Sequence, residues 1–405
     1  MKLKQHFMKS TVILSMVAST ALYATNGDTL VGVGAKTRAM GGAGIAFSHG
    51  AESTLVNPAL ITHVQDTEIS FGGTIFMPDV KTDIGPTGSY GKSDADISMI
   101  PAVAIVSHFD NGVYIGAGMY GVAGMGTDFR GNTGLMNMET TLQLMQFVVP
   151  VAYKTGGISI GIAPILQYGS LDINYLLPPA FGGPRTIGDG QHQDFGFGAN
   201  VGLTYDFENG ITVGAMYKSK IKMDYKGALT TAVQPFLGLP GFPQDIGSHL
   251  DQPAEFGIGL GWRSGPHGIA IDWKRIQWSN AAGYEQFGWD DQDVFAVGYQ
   301  YDAGTWSARI GYNHASNPIK EGNGAIPGEA ALNMFNLLGF PATVENHITA
   351  GASYQFSKNF SGDFTVAYAL QKKTSGDISG LFGPGAEIKN KHNQLGLTVQ
   401  LNYKF

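Results

Sequence analysis

The side chains in this 405-residue chain best placed to act on another molecule are apolar, and they lie where apolar groups are costly. Tyr175-Leu176-Leu177-Pro178-Pro179-Ala180-Phe181, Phe236-Leu237-Gly238-Leu239-Pro240-Gly241-Phe242 and Ala330-Ala331-Leu332-Asn333-Met334-Phe335-Asn336-Leu337-Leu338 each fall in a long connection without a strand pattern. Exposed apolar surface of that extent covers itself or binds something. The chemistry on offer is noncovalent capture of a hydrophobic molecule. Burying one large apolar side chain contributes ~1.5–3 kcal/mol, so several around one ligand reach micromolar affinity. The candidate contacts are Leu176, Leu177, Phe181, Phe236, Leu237, Leu239, Phe242, Phe335 and Leu338. The competing expectation is a lid of loops folded over one another, which is compatible with a capture groove. The third of these connections has the composition of a short helix.

A ligand with a carboxylate would want a cation. Arg309 faces inward by strand alternation and Lys320 follows in the adjacent loop, so these two are the carboxylate candidates; Lys274, Arg275 and Arg38 are further ones. Covalent chemistry finds little support. No G-x-S-x-G stretch stands at a strand-to-helix elbow, since Gly157 to Gly161 has the spacing but opens the expected strand 158–173, there is no H-E-x-x-H helix, and His192 is a lone loop histidine. Gly41-Gly42-Ala43-Gly44 lacks the Lys-Ser/Thr ending of a phosphate loop. With no cysteine there is no thiol nucleophile, disulfide or zinc-thiolate site. No enzyme, metal or cofactor is expected. A net charge of −7 argues against nucleic acid.

Composition narrows the class of scaffold. Charged residues are 14% and glycines number 58, about half the usual charge and twice the usual glycine of a soluble domain. Lys2, Lys4 and Lys9 precede the mostly apolar run Thr11 to Ala21, and Ala24 offers a cleavage point. Residues 1–24 are expected to be a secretory signal peptide. No later run is long and apolar enough for a transmembrane helix, so any membrane crossing must use strands.

The period is two. Phe360, Gly362, Phe364, Val366, Tyr368 and Leu370 share one face against Ser361, Asp363, Thr365, Ala367 and Ala369, and Leu395 to Phe405 repeats the pattern. Such half-apolar runs are strands. Fourteen are expected, at 67–76, 101–109, 113–122, 141–154, 158–173, 193–206, 211–226, 254–263, 267–278, 293–301, 305–313, 345–356, 360–371 and 394–405. After every even strand the link is tight, as in Asp110-Asn111-Gly112 or Glu208-Asn209-Gly210; after every odd strand it is long. Short turns on one side and long loops on the other mark an outer-membrane barrel, closed because lipid cannot satisfy an open sheet edge. The even count puts both barrel termini on the short-turn, periplasmic side. Aromatic residues beside the short turns, among them Tyr153, Tyr205, Tyr354 and Tyr403, fit an interfacial girdle. Inward positions are mostly small and neutral (Gly196, Gly202, Gly257, Gly259, Gly261), with Glu255, Asp272, Lys274, Arg309 and Asp363 the clearest charges. That suits an apolar path better than the hydrated lumen of a polar-solute porin.

Residues 25–66 show no alternation and are expected to form an N-terminal plug inside the barrel, leaving 67–405 as the wall. In the third strand, Gly116, Gly118 and Gly121 should weaken regular pairing.

These segments resemble a known family. GVGAKTRAMGGAGIAFSHGAESTLVNPALITHV, near the N-terminus, resembles the corresponding block of the FadL/TodX outer-membrane transporters, including the hatch signature Asn57-Pro58-Ala59 with Arg38 upstream. YIGAGMYGVAGMGTDF resembles the family's kinked third strand, and IDWKRIQWS and RIGYNHASNPI are similar to further family segments. The resemblance implies an all-β, fourteen-stranded transmembrane barrel plugged by a hatch, in the outer membrane of a Gram-negative bacterium. It implies uptake of long-chain fatty acids or of hydrocarbons, captured by the loops, passed to a pocket at the hatch and released sideways into outer-membrane lipid through the kink; with no motif for an energy-transducing partner, the uptake is expected to be passive. The terminal Tyr403-Lys404-Phe405 resembles the signal read by the barrel-assembly machinery, which makes Phe405 a partner contact.

Overall fold

A computed structural model describes residues 25–85 and 90–405; the expected signal peptide lies outside the described residues. The wall strands are β1 (Glu68–Ile84), β2 (Ser98–His108), β3 (Val113–Met125), β4 (Glu139–Val148, resumed at Val151–Thr155 after Pro150), β5 (Ile158–Leu177), β6 (His192–Asp206) and β7 (Ile211–Lys218). They continue as β8 (Glu255–Ser264), β9 (His267–Ile276), β10 (Gln292–Asp302), β11 (Trp306–Ala315), β12 (Asn346–Gln355), β13 (Phe360–Asp377) and β14 (Glu387–Lys404). Each pairs antiparallel with the next. The ring closes where β14 runs along β1, from Lys404 opposite Glu68 to Ile388 opposite Ile84. This is a closed fourteen-stranded antiparallel barrel, as the period-two pattern predicts.

All six expected tight turns connect strands at one end. Five place a glycine at positive φ: Gly112, Gly156, Gly210, Gly265 and Gly304. Glycine reaches that region without strain, which is why these links can be so short. Strand faces also fall as expected. Phe71, Ile160, Leu203, Ile258, Ile271, Phe295, Ile310, Ile348, Phe364 and Val399 point out and are exposed, whereas Thr365, Ala367 and Ala369 point in and are buried. An apolar belt of this size is unstable in water and fits a lipid face.

Several strands run further than the sequence pattern indicates, β1 to Ile84, β5 to Leu177 and β13 to Asp377. These extensions rise past the apolar belt towards the long loops, where the outer face turns polar and the alternation fades. In the other direction, β7 ends at Lys218 instead of running to residue 226. Ile221, Met223 and Tyr225 are buried because this stretch folds inward across β6. A Cβ at Gly196 would meet Ile221 Cγ2 at 2.5 Å, and one at Gly198 would meet Ile221 Cγ1 at 2.7 Å.

Residues 25–67 lie within the barrel. Their short helix Ala35–Ala39 packs on β11 to β14 and the 3-10 turn Pro58–His63 on β5 and β6. Glycines of the wall make the fit: a Cβ at Gly161 would meet the Pro58 carbonyl carbon at 2.5 Å, one at Gly298 Met40 Cβ at 2.6 Å, and one at Gly351 Ala39 Cβ at 2.7 Å. The high glycine content thus has a packing cause. Wall side chains then hold the segment's backbone. Asp272 Oδ2 accepts from Gly44 N at 2.6 Å and Ile45 N at 2.8 Å, Thr365 Oγ1 donates to Ala35 O at 2.8 Å, and Asn200 Nδ2 donates to Leu55 O at 2.6 Å. Contrary to the expectation of no strand character, Thr29 makes a β-bridge to Ala123 of β3.

Candidate functional site

The apolar loops close over the barrel mouth. The helix Pro327–Leu338, expected as a short helix, buries Phe335 and Leu338. Its Phe335 ring packs edge-on to Phe236 at 5.2 Å and to Tyr175 at 5.7 Å. Phe236 also meets Phe242 and Phe181, each at 6.0 Å. Leu177, Phe236 and Phe242 are buried, Leu176, Phe181 and Leu239 are half-buried, and Leu237 and Phe382 are exposed. The nine loop residues therefore divide: most form the interior of a lid, and the outer edge of that cluster carries an apolar patch of Phe181, Leu237, Leu239 and Phe382. Phe382 was not singled out from sequence; it stacks edge-on to Phe181 at 5.8 Å.

Beneath the lid, a cavity of about 90 Å3 adjoins the N-terminal segment. Leu30, Val31, Val33, Ile45, Leu55, Val122, Met216 and Val294 supply apolar lining, and Lys218, Glu255, Asp272 and Lys274 a charged side. Glu255 ties that side together, paired with Lys218 and with Lys274 Nζ at 2.9 Å. The volume is below the roughly 150 Å3 that holds a benzene in an engineered apolar cavity; a larger ligand needs this space to open. The apolar residues of the segment, Leu30 to Val33 above all, were legible only as packing groups, since no spacing rule marks a pocket wall.

β3 is irregular where the sequence is glycine-rich, but at one point only. Gly116 and Gly118 lie in ordinary ladder, opposite Val106 and Ala104 of β2. The pairing with β2 ends at Tyr120 opposite Ala102, and the pairing with β4 slips between Gly121 and Ala123, leaving Val122 as a bulge residue. From Tyr120 to Met125 every residue is buried, so this half of the strand has left the alternating wall and turned inward. The N-terminal segment takes over as partner: Gly124 N donates to Asp28 O at 3.0 Å. Ile100 of β2 fills the break, and a Cβ at Gly121 would reach Ile100 Cγ2 at 2.7 Å.

Asn57 and Pro58 set the geometry of the plug. Asn57 Oδ1 accepts from Ala59 N at 3.0 Å, capping the turn that Pro58 begins, and Asn57 Nδ2 donates to Ile45 O at 2.7 Å. Arg38 is buried, donating from Nη2 to Gly32 O at 3.2 Å; burial lowers its pKa to about 10, which leaves it charged at neutral pH.

The structure does not bring the two carboxylate candidates together. Arg309 lies near the short-turn end of β11, held by Gln300 Oε1 at 2.8 Å and Ser353 Oγ at 2.6 Å. It lines a polar cavity of about 470 Å3 beneath the plug with Lys36, His49, Glu68 and Arg263. Lys320 is exposed among the long loops, 3.5 Å from Asp290. The two stand at opposite ends of the barrel because alternation reports the face of a residue and not its height. Arg275 is paired outside with Asp293 at 2.6 Å. Phe405 is exposed at the end of the last strand and donates its N–H to Thr67 O at 3.0 Å.

A closed antiparallel barrel with a lipid-facing belt, a filled interior and an apolar lid is the architecture of an outer-membrane channel for hydrophobic compounds. The chain belongs to the outer membrane protein transport protein family (OMPP1/FadL/TodX), whose family model matches residues 11–405. It is 26% identical to a long-chain fatty acid transport protein of Escherichia coli O6:H1, covering 92% of this chain and 97% of that one. It is 24% identical to a 47 kDa outer membrane protein of Pasteurella multocida, covering 89% of each. Among solved structures, a toluene transporter of Pseudomonas putida, TodX, aligns over 94% of this chain and 100% of its own at a TM-score of 0.68 and 19% identity. A Pseudomonas aeruginosa FadL homologue aligns over 94% and 100% at 0.69 and 15%. These structural likenesses show the fold. The protein is an outer-membrane transport channel and not an enzyme.

Proposed function

We propose that this channel takes up long-chain fatty acids by passive diffusion. The observation that carries the reading is the inner cavity, which is apolar along the N-terminal segment and charged along Lys218, Glu255 and Lys274; an amphipathic ligand matches both sides. The full-length relationship to long-chain fatty acid transport proteins supports the same choice. In this reading the outer patch of Phe181, Leu237, Leu239 and Phe382 captures the chain, and opening of the Phe236–Phe335 cluster admits it. The plug of residues 25–66 closes the axial route. The ligand leaves sideways at the β2–β3 break, past Ile100. Hydrocarbons form the second reading, favoured by the small size of the cavity and by the absence of an unpaired lysine in its lining among the described residues.

Uptake of labelled oleate and of toluene, measured in an outer-membrane background lacking native hydrophobic transporters, tests the choice. Oleate uptake that falls when Phe236, Leu237 and Leu239 become serine supports the fatty-acid channel. Toluene uptake alone moves the reading to hydrocarbons. Passage of small sugars with neither would overturn hydrophobic transport through this barrel.

A further inference from the structure

Four lysines stand in one row across the outer face of the barrel at its long-loop end. Lys373 of β13 lies directly opposite Lys391 of β14, Lys391 opposite Lys81 of β1, and Lys81 opposite Lys92 in the loop between β1 and β2. Their side chains point away from the interior, because the alternate positions Val80, Asn390 and His392 are the buried ones. Three strand spacings separate the ends of the row, about 14 Å. Leu395 lies four residues below Lys391 and Leu370 three below Lys373, and from there down the same face is apolar, with Tyr368, Phe364 and Val399 exposed. The row therefore stands about 10–13 Å along the strands beyond the lipid-facing belt, at the level of the lipid head groups.

Like charges directly opposite one another destabilise an antiparallel ladder, and in a chain of net charge −7 a general surplus of cations does not account for the row. Part of it is neutralised: Lys81 pairs with Asp79 at 2.9 Å and Lys92 with Asp96 at 2.7 Å. Lys389, the next outward residue of β14, pairs with Glu387 at 3.2 Å. Lys373 and Lys391 have no carboxylate within ion-pairing distance among the described residues. Lys391 Nζ stands 3.6 Å from the centre of the Tyr90 ring, which orients the ammonium and leaves its charge uncompensated. Lysine stems of this kind lie along an apolar wall and present their amines to the head-group layer. Two adjacent unpaired cations are unfavourable alone and favourable with an anion lying across both.

We infer that Lys373 and Lys391, flanked by Lys81, bind a phosphate of the phosphorylated glycolipid in the outer leaflet of the outer membrane. The phosphate oxygens accept from both ammonium groups while the acyl chains lie against the apolar face of β13, β14 and β1 below. A glycolipid meets row and belt at once, whereas a free phosphate gains only the exposed ammonium contacts. The site lies on the outside of the wall, apart from the transport path, and it stands whichever hydrophobic compound the channel carries.

The test is binding of lipopolysaccharide, and of the same lipid stripped of its phosphates, to the purified full-length protein in a nonionic detergent, with folding of each variant followed by its heat-modifiable migration. A lysine at an anionic lipid surface is worth about fivefold in affinity, so the two together should give about ten- to thirtyfold. Wild type should prefer the phosphorylated lipid by that factor. Lys373→Gln combined with Lys391→Gln should remove the preference and leave affinity for the stripped lipid unchanged. Lys222→Gln combined with Lys226→Gln, at exposed lysines elsewhere on the long-loop side, should keep it. A Lys373→Gln/Lys391→Gln protein that retains the preference overturns the site, and so does an equal loss in both double variants, which would assign the effect to general surface charge. Displacement of the lipid by equimolar inorganic phosphate would overturn the glycolipid as its occupant.

Discussion

The phenol of Tyr284 donates a hydrogen bond to the carboxylate of Asp28, and this bond fastens the N-terminal segment to the loop between β9 and β10. Gln252 Nε2 adds a second donor to the same oxygen at 3.0 Å, and Trp278 packs on Gly27, where a Cβ would meet its ring at 2.6 Å. The plug is therefore held from above by the lid as well as from the sides by the wall, so opening of the lid and loosening of residues 25–30 are mechanically linked.

That bond makes the docking pH-dependent. Burial pushes the Asp28 carboxyl up to about 6, with Glu255 adding repulsion against the pull of Tyr284, Gln252 and Lys218. A carboxyl whose folded pKa is raised favours the docked state most below its ordinary value of 3.8 and loses that contribution as pH rises through about 6. The change is at most about 3 kcal/mol. Hydrogen exchange of amides 25–33, corrected for intrinsic rates, should quicken between pH 4 and pH 7 conditions, on the order of tenfold or more. Asp28→Asn should flatten the profile; an unchanged profile in that variant would assign the effect elsewhere.

The fit of plug to wall predicts a second effect. The backbone at Gly202 stands directly against the Asn57 side chain, so Gly202→Val has no room unless Asn57-Pro58-Ala59 moves. The barrel ladder does not depend on that contact. Gly202→Val should therefore fold normally and show raised ion conductance in planar bilayers. Asn57→Ala, which removes the cap on Ala59 N, should cost about 1–2 kcal/mol and leak less. Conductance equal to wild type in both would mean that the plug does not close the pore through this motif.

Much of this architecture was legible in the chain, and the rest failed for physical reasons. Strand number and the six tight turns could be read because lipid imposes period two on the outer face and five of the turns place a glycine at positive φ. Where a strand ends could not: β7 stops at Lys218 because Ile221 finds space against Gly196 and Gly198, which belong to a different strand. Glycine density correctly drew attention to β3 but spread the irregularity over Gly116 and Gly118. The break sits at Gly121 to Ala123 because a distant residue, Thr29, supplies the competing pairing. Arg309 and Lys320 were grouped by nearness in sequence, although Arg309 lies a few residues above a short turn and Lys320 lies in the loop at the other end.

The lid predicts unequal effects from two adjacent residues. Phe236 contacts Tyr175, Phe181, Phe242 and Phe335, whereas Leu237 is 43% exposed. Phe236→Ala should destabilise the closed lid by about 3–5 kcal/mol, and Leu237→Ala by less than about 0.5 kcal/mol. Limited proteolysis of the 227–253 loop reads the difference: rapid cleavage in the first variant and wild-type rates in the second. Equal rates would show that the loop is held by contacts other than the aromatic cluster.

The β3 bulge gives the most direct test of sideways release. Val122 is the one residue by which β3 outruns β4, with Gly121 opposite Met145 and Ala123 opposite Leu144. Deleting Val122 removes the surplus, lets Gly121 and Ala123 pair in continuous register, and draws the inward half of β3 back towards β2. The N-terminal segment loses the Gly124–Asp28 bond and the Thr29–Ala123 bridge, whereas the aromatic cluster of the lid and the rest of the cavity lining keep their partners. If ligand leaves at this break, the deletion should lower oleate uptake about tenfold or more, since a continuous ladder closes the path, while oleate binding to the purified protein falls far less. Ile100→Ala, which removes the side chain filling the break, should act in the opposite direction and leave uptake at or above the wild-type rate. Unchanged uptake in the deletion, with the barrel shown to be folded, would place the exit through the plug instead of the wall.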